Sequence, residues 1–177
     1  MLYIITALKS EAQAFVDKYK LNKSKHEDFT IFIGQDIKVI ISGIGIQNAR
    51  FATTFTIKTF NPNKDDIFLN IGICGASKKY KIGNYIEISS ILYNEEKFTL
   101  NNNTNNTIVC SDNEVSDNNY NIVDMESFGF YQASRNIKNC YIYKIVSDHF
   151  EPKSITKEST KKLIFNAIDK IITKVKI

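Results

Sequence analysis

The chain has 177 residues, of which 43% are hydrophobic and 24% charged, and its formal net charge at pH 7 is +4. This composition is typical of one globular domain, because the apolar fraction is too high for a disordered chain. Three cysteines are too few for a disulfide scaffold, and no stretch approaches the roughly 20 apolar residues of a membrane-spanning helix. Lys9, Ser10 and Glu11 interrupt the first apolar run, which also lacks the cationic start of a signal peptide. We therefore expect a single domain over residues 1–177, cytoplasmic and without a membrane partner.

The basic residues do not indicate nucleic-acid binding. Arg50 and Arg135 are the only arginines, and the lysines are scattered without a stripe of interleaved aromatics. The two histidines, His26 and His149, are far apart in the sequence, and no group of His and Cys has the spacing of zinc ligands. The sequence therefore predicts no metal, no cofactor and no nucleic-acid partner.

Strands and helices alternate in the first third of the chain. Residues 2–8 form a continuous apolar, β-branched run that is typical of a strand buried on both faces, and a helical pattern follows with Ser10 as its candidate N-cap. Two runs at 30–33 and 37–41 predict a hairpin. A helix is then expected from Ile46 to about Phe60.

The rest of the chain continues the alternation. Strands are expected at 67–71, 85–92, 108–110 and 141–146, helices at 126–135 and from about 156, and polar loops at 94–106 and 111–121. This order predicts an α/β fold with three layers, in which helices flank a mixed, mostly parallel twisted sheet with one antiparallel hairpin. In such sheets ligands bind beyond the carboxyl ends of the strands. That edge is expected to carry residues 9–11, 42–45, 72–75, 111–114 and 147–149.

Three acidic residues near this edge could carry chemistry. Glu11 could act as a general base on water, or it could be a first-turn glutamate that the helix dipole stabilises. Asp148 follows the last buried strand and could transfer a proton, or it could form a cap or an Asx turn. Glu126 precedes an aromatic-rich helix, where sugar hydroxyls could satisfy its carboxylate if it is buried. The residues alone leave each alternative open.

The order of the motifs is more specific than any one of them. It resembles the nucleoside phosphorylase and nucleosidase superfamily, and within it most closely the methylthioadenosine/S-adenosylhomocysteine nucleosidases, with futalosine hydrolase nearby. The resemblance covers residues 1 to about 150. The motifs that carry it are Ala7-Leu8-Lys9-Ser10-Glu11, Ser42-Gly43-Ile44-Gly45-Ile46-Gln47-Asn48-Ala49, Asn70-Ile71-Gly72-Ile73-Cys74-Gly75, Asp124-Met125-Glu126 and Val146-Ser147-Asp148.

The resemblance implies a nucleoside phosphorylase-like fold that cleaves an N-glycosidic bond. Glu11 matches the carboxylate that activates the attacking water, and Asp148 matches the acid that protonates N7 of a purine. Glu126 matches the carboxylate that binds the ribose hydroxyls, and Met125 lines the sugar pocket. The remaining residues on substrate-binding segments are Ser42, Gly43, Ile44, Gly75 and Ser147. The resemblance also implies a homodimer with a small-molecule nucleoside substrate.

The nucleophile and the base remain open at this point. A phosphorylase usually holds phosphate with arginine, and neither arginine falls on a glycine loop, so we favour hydrolysis over phosphorolysis. Residues 93–123 form a shorter segment than the resemblance implies, and Ser111-Asp112-Asn113-Glu114-Val115 replaces the expected aromatic contact to adenine. A degenerate module that binds a nucleoside without turnover is therefore the alternative from outside the enzymes.

Overall fold

The fold is taken from a computed structural model, which describes residues 1–26, 28–100, 104–117 and 119–175. The strands are β1 (Leu2–Thr6), β2 (Asn22–His26), β3 (Phe29–Ile33), β4 (Ile37–Ile41), β5 (Ile67–Ala76), β6 (Tyr85–Glu87), β7 (Ser90–Tyr93), β8 (Glu96–Thr99), β9 (Thr107–Cys110), β10 (Ile122–Asp124) and β11 (Asn139–Asp148). The helices are α1 (Lys9–Tyr19), α2 (Ile46–Phe60), α3 (Ser127–Ser134) and α4 (Lys157–Val175), and a single 3-10 turn lies at Pro152–Ser154.

The strands of the described residues form one mixed sheet. Its main path runs β2-β3-β4-β1-β5-β10-β9-β7-β8, while β11 pairs with β5 and β6. Parallel pairing dominates the centre, where β4, β1, β5 and β11 run in the same direction. Antiparallel pairs join β2, β3 and β4 at one end of the sheet, and β7 and β8 at the other.

Helices cover both faces of the sheet, which confirms the three-layer α/β architecture. One hydrophobic cluster includes Phe15 of α1 and Ile168 of α4 against the first face. The other includes Ala52 of α2 and Phe130 of α3 against the second face. No helix in the described ranges is long and apolar enough to cross a membrane.

Several local expectations were wrong. α1 begins at Lys9 with Leu8 as its N-cap, because the Glu11 carboxylate accepts the Leu8 N–H and no Ser10 cap is needed. No strand was expected between the first helix and residue 30, but the chain forms β2 there, which ends at His26. The predicted strand 85–92 is two strands, since β6 pairs with β11 and the chain then crosses to pair with β8 and β9. The predicted loop 94–106 contains β8, although part of it lies outside the described residues.

The expected end of the strand at residue 71 is also wrong. β5 continues through the two glycines to Ala76, because β11 pairs with it along almost its full length and β10 pairs with its last residues. The second half of β5 therefore extends past the ends of β1 and β4. This extension forms the floor on which the candidate site is built.

Candidate active site

A cavity of about 260 Å³ lies at the carboxyl edge of the parallel strands. It is bordered by residues that follow β1, by the loop after β4, by the second half of β5 and by the end of β11. The acidic residues that line it are Glu11, Glu114, Asp124, Glu126 and Asp148. Among the described residues, no lysine, arginine or histidine lines it. The cavity is therefore strongly acidic at its wall.

Glu11 is held by backbone N–H groups from two elements. Its Oε2 accepts hydrogen bonds from Ala7 and Leu8 at 2.9 Å each, and its Oε1 accepts one from Ile73 of β5 at 2.9 Å. The residue is 1% exposed, and its burial raises the pKa of the carboxyl, against the opposing effect of these hydrogen bonds and of Lys144. The carboxylate thus joins the start of α1 to the floor of the cavity.

The absence of a side chain at Gly72 makes this position possible. A Cβ on Gly72 would lie 2.9 Å from Oε1 of Glu11, which is closer than real Cβ atoms approach other atoms. The Glu11 carboxylate therefore lies directly on the bare backbone of β5.

The glycine loop after β4 directs a backbone donor at Glu126. Gly43 and Gly45 have φ of 87° and 103°, a region that residues with a side chain rarely adopt. Gly45 is the N-cap of α2, and its N–H donates to Oε1 of Glu126 at 3.0 Å. The N-terminus of a helix favours negative charge, so the loop stabilises the carboxylate form.

A buried ion pair lies beneath Glu126. Lys144 is 1% exposed, and its Nζ lies 2.7 Å from Oδ2 of Asp124. Asp124 also accepts hydrogen bonds from the N–H of Glu126 and from the N–H and hydroxyl of Ser127. Asp124 is therefore fully used in anchoring the start of α3 and in pairing with Lys144.

Burial and the neighbouring charges in this cluster shift the pKa values of its members. Burial raises the pKa of Glu126 to about 7, with Lys144 opposing the shift and Asp124 and Glu11 adding to it. Burial disfavours the ammonium of Lys144, but the charges of Asp124, Glu126 and Glu11 outweigh it and raise the pKa of Lys144 above its ordinary value. Lys144 therefore stays charged, and Glu126 is the member that titrates near neutral pH.

Asp148 is aimed by an irregularity at the end of β11. The register with β5 shifts between Val146 and Asp148, as in a β-bulge, which re-aims the side chains that follow. Ser147 donates its hydroxyl to Oδ2 of Asp148 at 2.7 Å and also lies 3.1 Å from the carbonyl of Cys74. The N–H of Glu151 donates to Oδ1 at 2.9 Å. The carboxyl of Asp148, 7% exposed, is thus fixed at the cavity wall.

Most of the residues named from the sequence meet at this cavity. Those that line it are Glu11, Ile44, Gly75, Met125, Glu126, Ser147 and Asp148. Ser42 and Gly43 do not line it; the Ser42 hydroxyl lies 2.8 Å from the carbonyl of Gly43 and 3.1 Å from that of Thr6, and it can donate to either. His149 does not line it either, and its Nδ1 lies 2.8 Å from the carbonyl of Ala76.

Sequence reasoning missed several residues of the site. The cavity wall also includes Leu8, Cys74, Asp124, Phe150 and Ile155. The signal for the ion pair was present, because Lys144 and Asp124 are charged residues within short apolar strands, where an unpaired charge would be unfavourable. The thiols of Cys74 and Cys110 are buried, and burial raises the pKa of each, so neither is a ready nucleophile.

No family profile matches the sequence, and no curated protein matches it at a significant level. Solved structures do match. The chain superposes on 5′-methylthioadenosine/S-adenosylhomocysteine nucleosidase from S. pneumoniae, with a TM-score of 0.81 at 15% identity over 99% of this chain and 98% of that one. The chain has the nucleosidase fold. The enzyme of the same name from Neisseria meningitidis gives a TM-score of 0.78 at 16% identity, over 98% of this chain and 97% of that one.

Futalosine hydrolase of Helicobacter pylori shares the nucleosidase fold as well, with a TM-score of 0.76 at 14% identity over 96% of this chain and 97% of that one. The S. pneumoniae structure contains the transition-state inhibitor MT-ImmA, and the Neisseria meningitidis structure is a complex with methylthio-immucillin-A. These similarities extend over nearly the whole of each chain and bear out the fold expected from the motif order. The shorter segment at 93–123 stays a sequence-based prediction.

Proposed function

We propose that this protein hydrolyses the N-glycosidic bond of a purine nucleoside. The observation that carries the proposal is the grouping of Glu11, Glu126 and Asp148 around one cavity whose described lining has no basic side chain. The similarity to nucleosidases and to futalosine hydrolase supports the same reaction class.

The proposed reaction divides three tasks among the carboxyl groups. Departure of the base leaves positive charge on the sugar, so the reaction needs a proton on the base, negative charge near the sugar and a positioned nucleophile. Asp148 donates a proton to N7 of the purine, Glu126 accepts hydrogen bonds from the ribose hydroxyls, and Glu11 takes a proton from the attacking water. Met125, Ile44, Gly75 and Ser147 shape the pocket around these groups.

Water is favoured over phosphate as the nucleophile because of the charge of the cavity. A phosphate dianion needs cationic partners, commonly arginine, and neither arginine of this chain lines the cavity. Lys144 is buried in its pair with Asp124 rather than presented at the wall. Ionised carboxyl groups at the wall that have no cationic partner would repel phosphate.

A base-release screen tests the proposal. Purified protein is incubated with methylthioadenosine, adenosine, inosine and futalosine, with and without phosphate, and the free base and sugar are separated by chromatography. We expect free base and free sugar without phosphate. Release that requires phosphate and gives a sugar 1-phosphate would establish a phosphorylase instead. A ligand that raises the melting temperature without being cleaved would indicate the binding module.

Asp148→Asn links the activity to the site. We expect this variant to lose turnover while its melting temperature stays close to that of the wild type. The matched control is Asp36→Asn, which makes the same change at an exposed residue between β3 and β4, at the opposite edge of the sheet. A fully active Asp148→Asn protein would contradict the assigned role of the acid.

We also propose that the protein forms a homodimer, as its resemblance to the nucleosidases implies. Ile44 at the cavity is 52% exposed and Phe51 on the second turn of α2 is 55% exposed, so both offer apolar surface near the site to a second copy. Sedimentation velocity is expected to show a dimer for the wild type and a monomer for Phe51→Asp. A monomeric wild type at micromolar concentration would refute the dimer.

A further inference from the structure

Phe150 stands next to the proposed acid and forms part of the cavity wall. It is 4% exposed. A Cβ on Gly75 would lie 3.3 Å from Cδ1 and 3.6 Å from Cε1 of Phe150, and 3.6 Å from Oδ1 of Asp148. The aromatic ring and the carboxyl group therefore lie side by side over the bare backbone of β5.

The backbone of Phe150 is in an unusual conformation for a bulky residue. Its φ is 65°, in the left-handed region that glycine and asparagine adopt most readily. This conformation belongs to the turn that brings the N–H of Glu151 onto Oδ1 of Asp148. Glycine or asparagine would serve that turn with less strain, so the turn alone does not account for a phenylalanine here.

The ring of Phe150 gives the cavity wall an aromatic face. Among the described residues that line the cavity, Phe150 is the only aromatic one. The loop after β9 reaches the cavity with Asn113, Glu114 and Val115, none of which has a π-face. Pro152 and Ile155 extend an apolar surface next to Phe150. A planar heterocycle would find its one stacking partner at this position.

We propose that Phe150 is the aromatic surface against which the base of the substrate packs, so that a ring nitrogen of the base faces Asp148. The inference rests on the proposed function and names the residue of this chain that holds the base. Because the larger π-face of a bicyclic base overlaps the ring more fully, it also favours purines over pyrimidines.

Variants of Phe150 distinguish the contribution of the aromatic ring from that of the turn. In Phe150→Asn the new residue adopts the left-handed backbone readily, but the aromatic ring is lost. In Phe150→Tyr the aromatic ring is kept and can still stack on a base. The control is Phe128→Leu, because Phe128 stacks with Tyr93 and does not line the cavity. Calorimetry with adenine and hypoxanthine gives the Kd of each free base, and steady-state assays give KM and kcat for the nucleosides.

We expect Phe150→Asn to weaken free-base binding about 5- to 150-fold, the range that loss of one base–aromatic stack produces. KM should rise in parallel, since the ring contacts the base before and during reaction, while Phe150→Tyr and Phe128→Leu stay near the wild type. A purely structural role would instead lower the melting temperature and kcat and leave the Kd of the free base unchanged.

The outcomes for this inference and for the proposed function are distinct. If nucleosides are cleaved, and if Phe150→Asn leaves KM and the Kd of the free base unchanged or lowers them, the inference is wrong and the function stands. If the wild type cleaves no nucleoside but binds free purine in a Phe150-dependent way, the function is wrong and the inference stands. Absence of any base binding by the wild type would overturn both.

Discussion

Among the buried carboxyl groups of the cluster, Glu126 is the one whose negative charge is least compensated. Asp124 is neutralised by Lys144 and bound by the start of α3, and Glu11 is held by three N–H groups. The carboxylate of Glu126 accepts a hydrogen bond from the N–H of Gly45, and it shares a single buried ammonium with two other carboxyl groups. Its pKa of about 7 follows from burial that these contacts only partly offset.

This pKa predicts an acid limb in the activity profile. Below pH 7 the Glu126 carboxyl becomes protonated and can no longer accept hydrogen bonds from two ribose hydroxyls on both oxygens. We therefore expect kcat/KM, which reports groups of the free enzyme, to fall about tenfold per pH unit below 7. Glu126→Gln should have a lower kcat/KM throughout and should lack this limb.

The control for this profile is Glu96→Gln, the same change at an exposed residue of β8. Its profile should follow that of the wild type. A wild-type kcat/KM that is constant from pH 5 to pH 8, or an unchanged limb in Glu126→Gln, would show that Glu126 is not the titrating group.

The residues that the sequence revealed share one property. Glu11, Glu126 and Asp148 each lie next to the end of a recognisable strand or the start of a recognisable helix, so the rule for ligand sites in α/β sheets located them. Phe150 could not be found this way, because its role depends on a left-handed turn and on the contact with Gly75, two tertiary features. Lys144 was missed because its partner, Asp124, lies on a different strand, and no local pattern in the sequence links the two residues.

At the level of elements, β5 decides the geometry of the site. Gly72 and Gly75 interrupt a run of β-branched and apolar residues, and such glycines favour a turn when only the sequence is considered. The pairing of β11 and β10 with the second half of β5 overrides that preference and keeps the strand extended to Ala76. Gly72 then serves as the contact surface for Glu11 rather than as a turn residue.

Gly72→Ala should therefore disable the site. The added methyl group would displace the Glu11 carboxylate, which is held on three N–H groups and has little freedom to yield. We expect kcat to fall at least tenfold, with a modest decrease in melting temperature. Steady-state kinetics and thermal unfolding measure the two effects separately.

Gly34→Ala provides a matched control. A Cβ there would lie 2.7 Å from Cδ2 of Leu21, a contact as tight as the one at Gly72 but away from the cavity. Its melting temperature should fall by a similar amount while kcat is retained. Equal loss of kcat in both variants, or full activity in Gly72→Ala, would argue against a positioning role for Gly72.

Helix packing completes the site from the other face. A Cβ on Gly129 of α3 would overlap the carbonyl of Ile46 at the start of α2, so the two helices meet without a side chain between them. This close approach brings the N–H of Gly45 to Glu126. The sequence predicted both helices and their order, but not their contact, since helix periodicity reports which face is buried and not what covers it.

The limits of sequence reading were greatest for the short strands. β2 consists of Asn22-Lys23-Ser24-Lys25-His26, which has no apolar alternation, because it is an edge strand with mostly exposed side chains. β8 is likewise a partly exposed strand at the other end of the sheet. Most of the buried central strands, by contrast, were recognised from their apolar runs. The exception is β10, because two apolar residues before Asp124 are too few to predict a strand.

Considered as a whole, the molecule separates its charges. The chain has a net charge of +4, yet the cavity wall presents five carboxyl groups and, among the described residues, no basic side chain. An anionic group on the substrate would therefore meet a local field of the same sign, which is weakly screened where solvent is excluded.

This separation predicts discrimination against nucleotides. Adenosine and adenosine 5′-monophosphate differ by a phosphate, so a comparison of their kcat/KM isolates the effect of the added negative charge. We expect a value at least tenfold lower for the monophosphate at low ionic strength, and a smaller difference at about 0.5 M salt, where the screening length falls to a few Å. Glu114→Gln, at an exposed position of the cavity wall, should narrow the difference further. Equal kcat/KM for the two substrates at low salt would mean that the acidic wall does not select the substrate, because repulsion from even one nearby carboxylate should be measurable under those conditions.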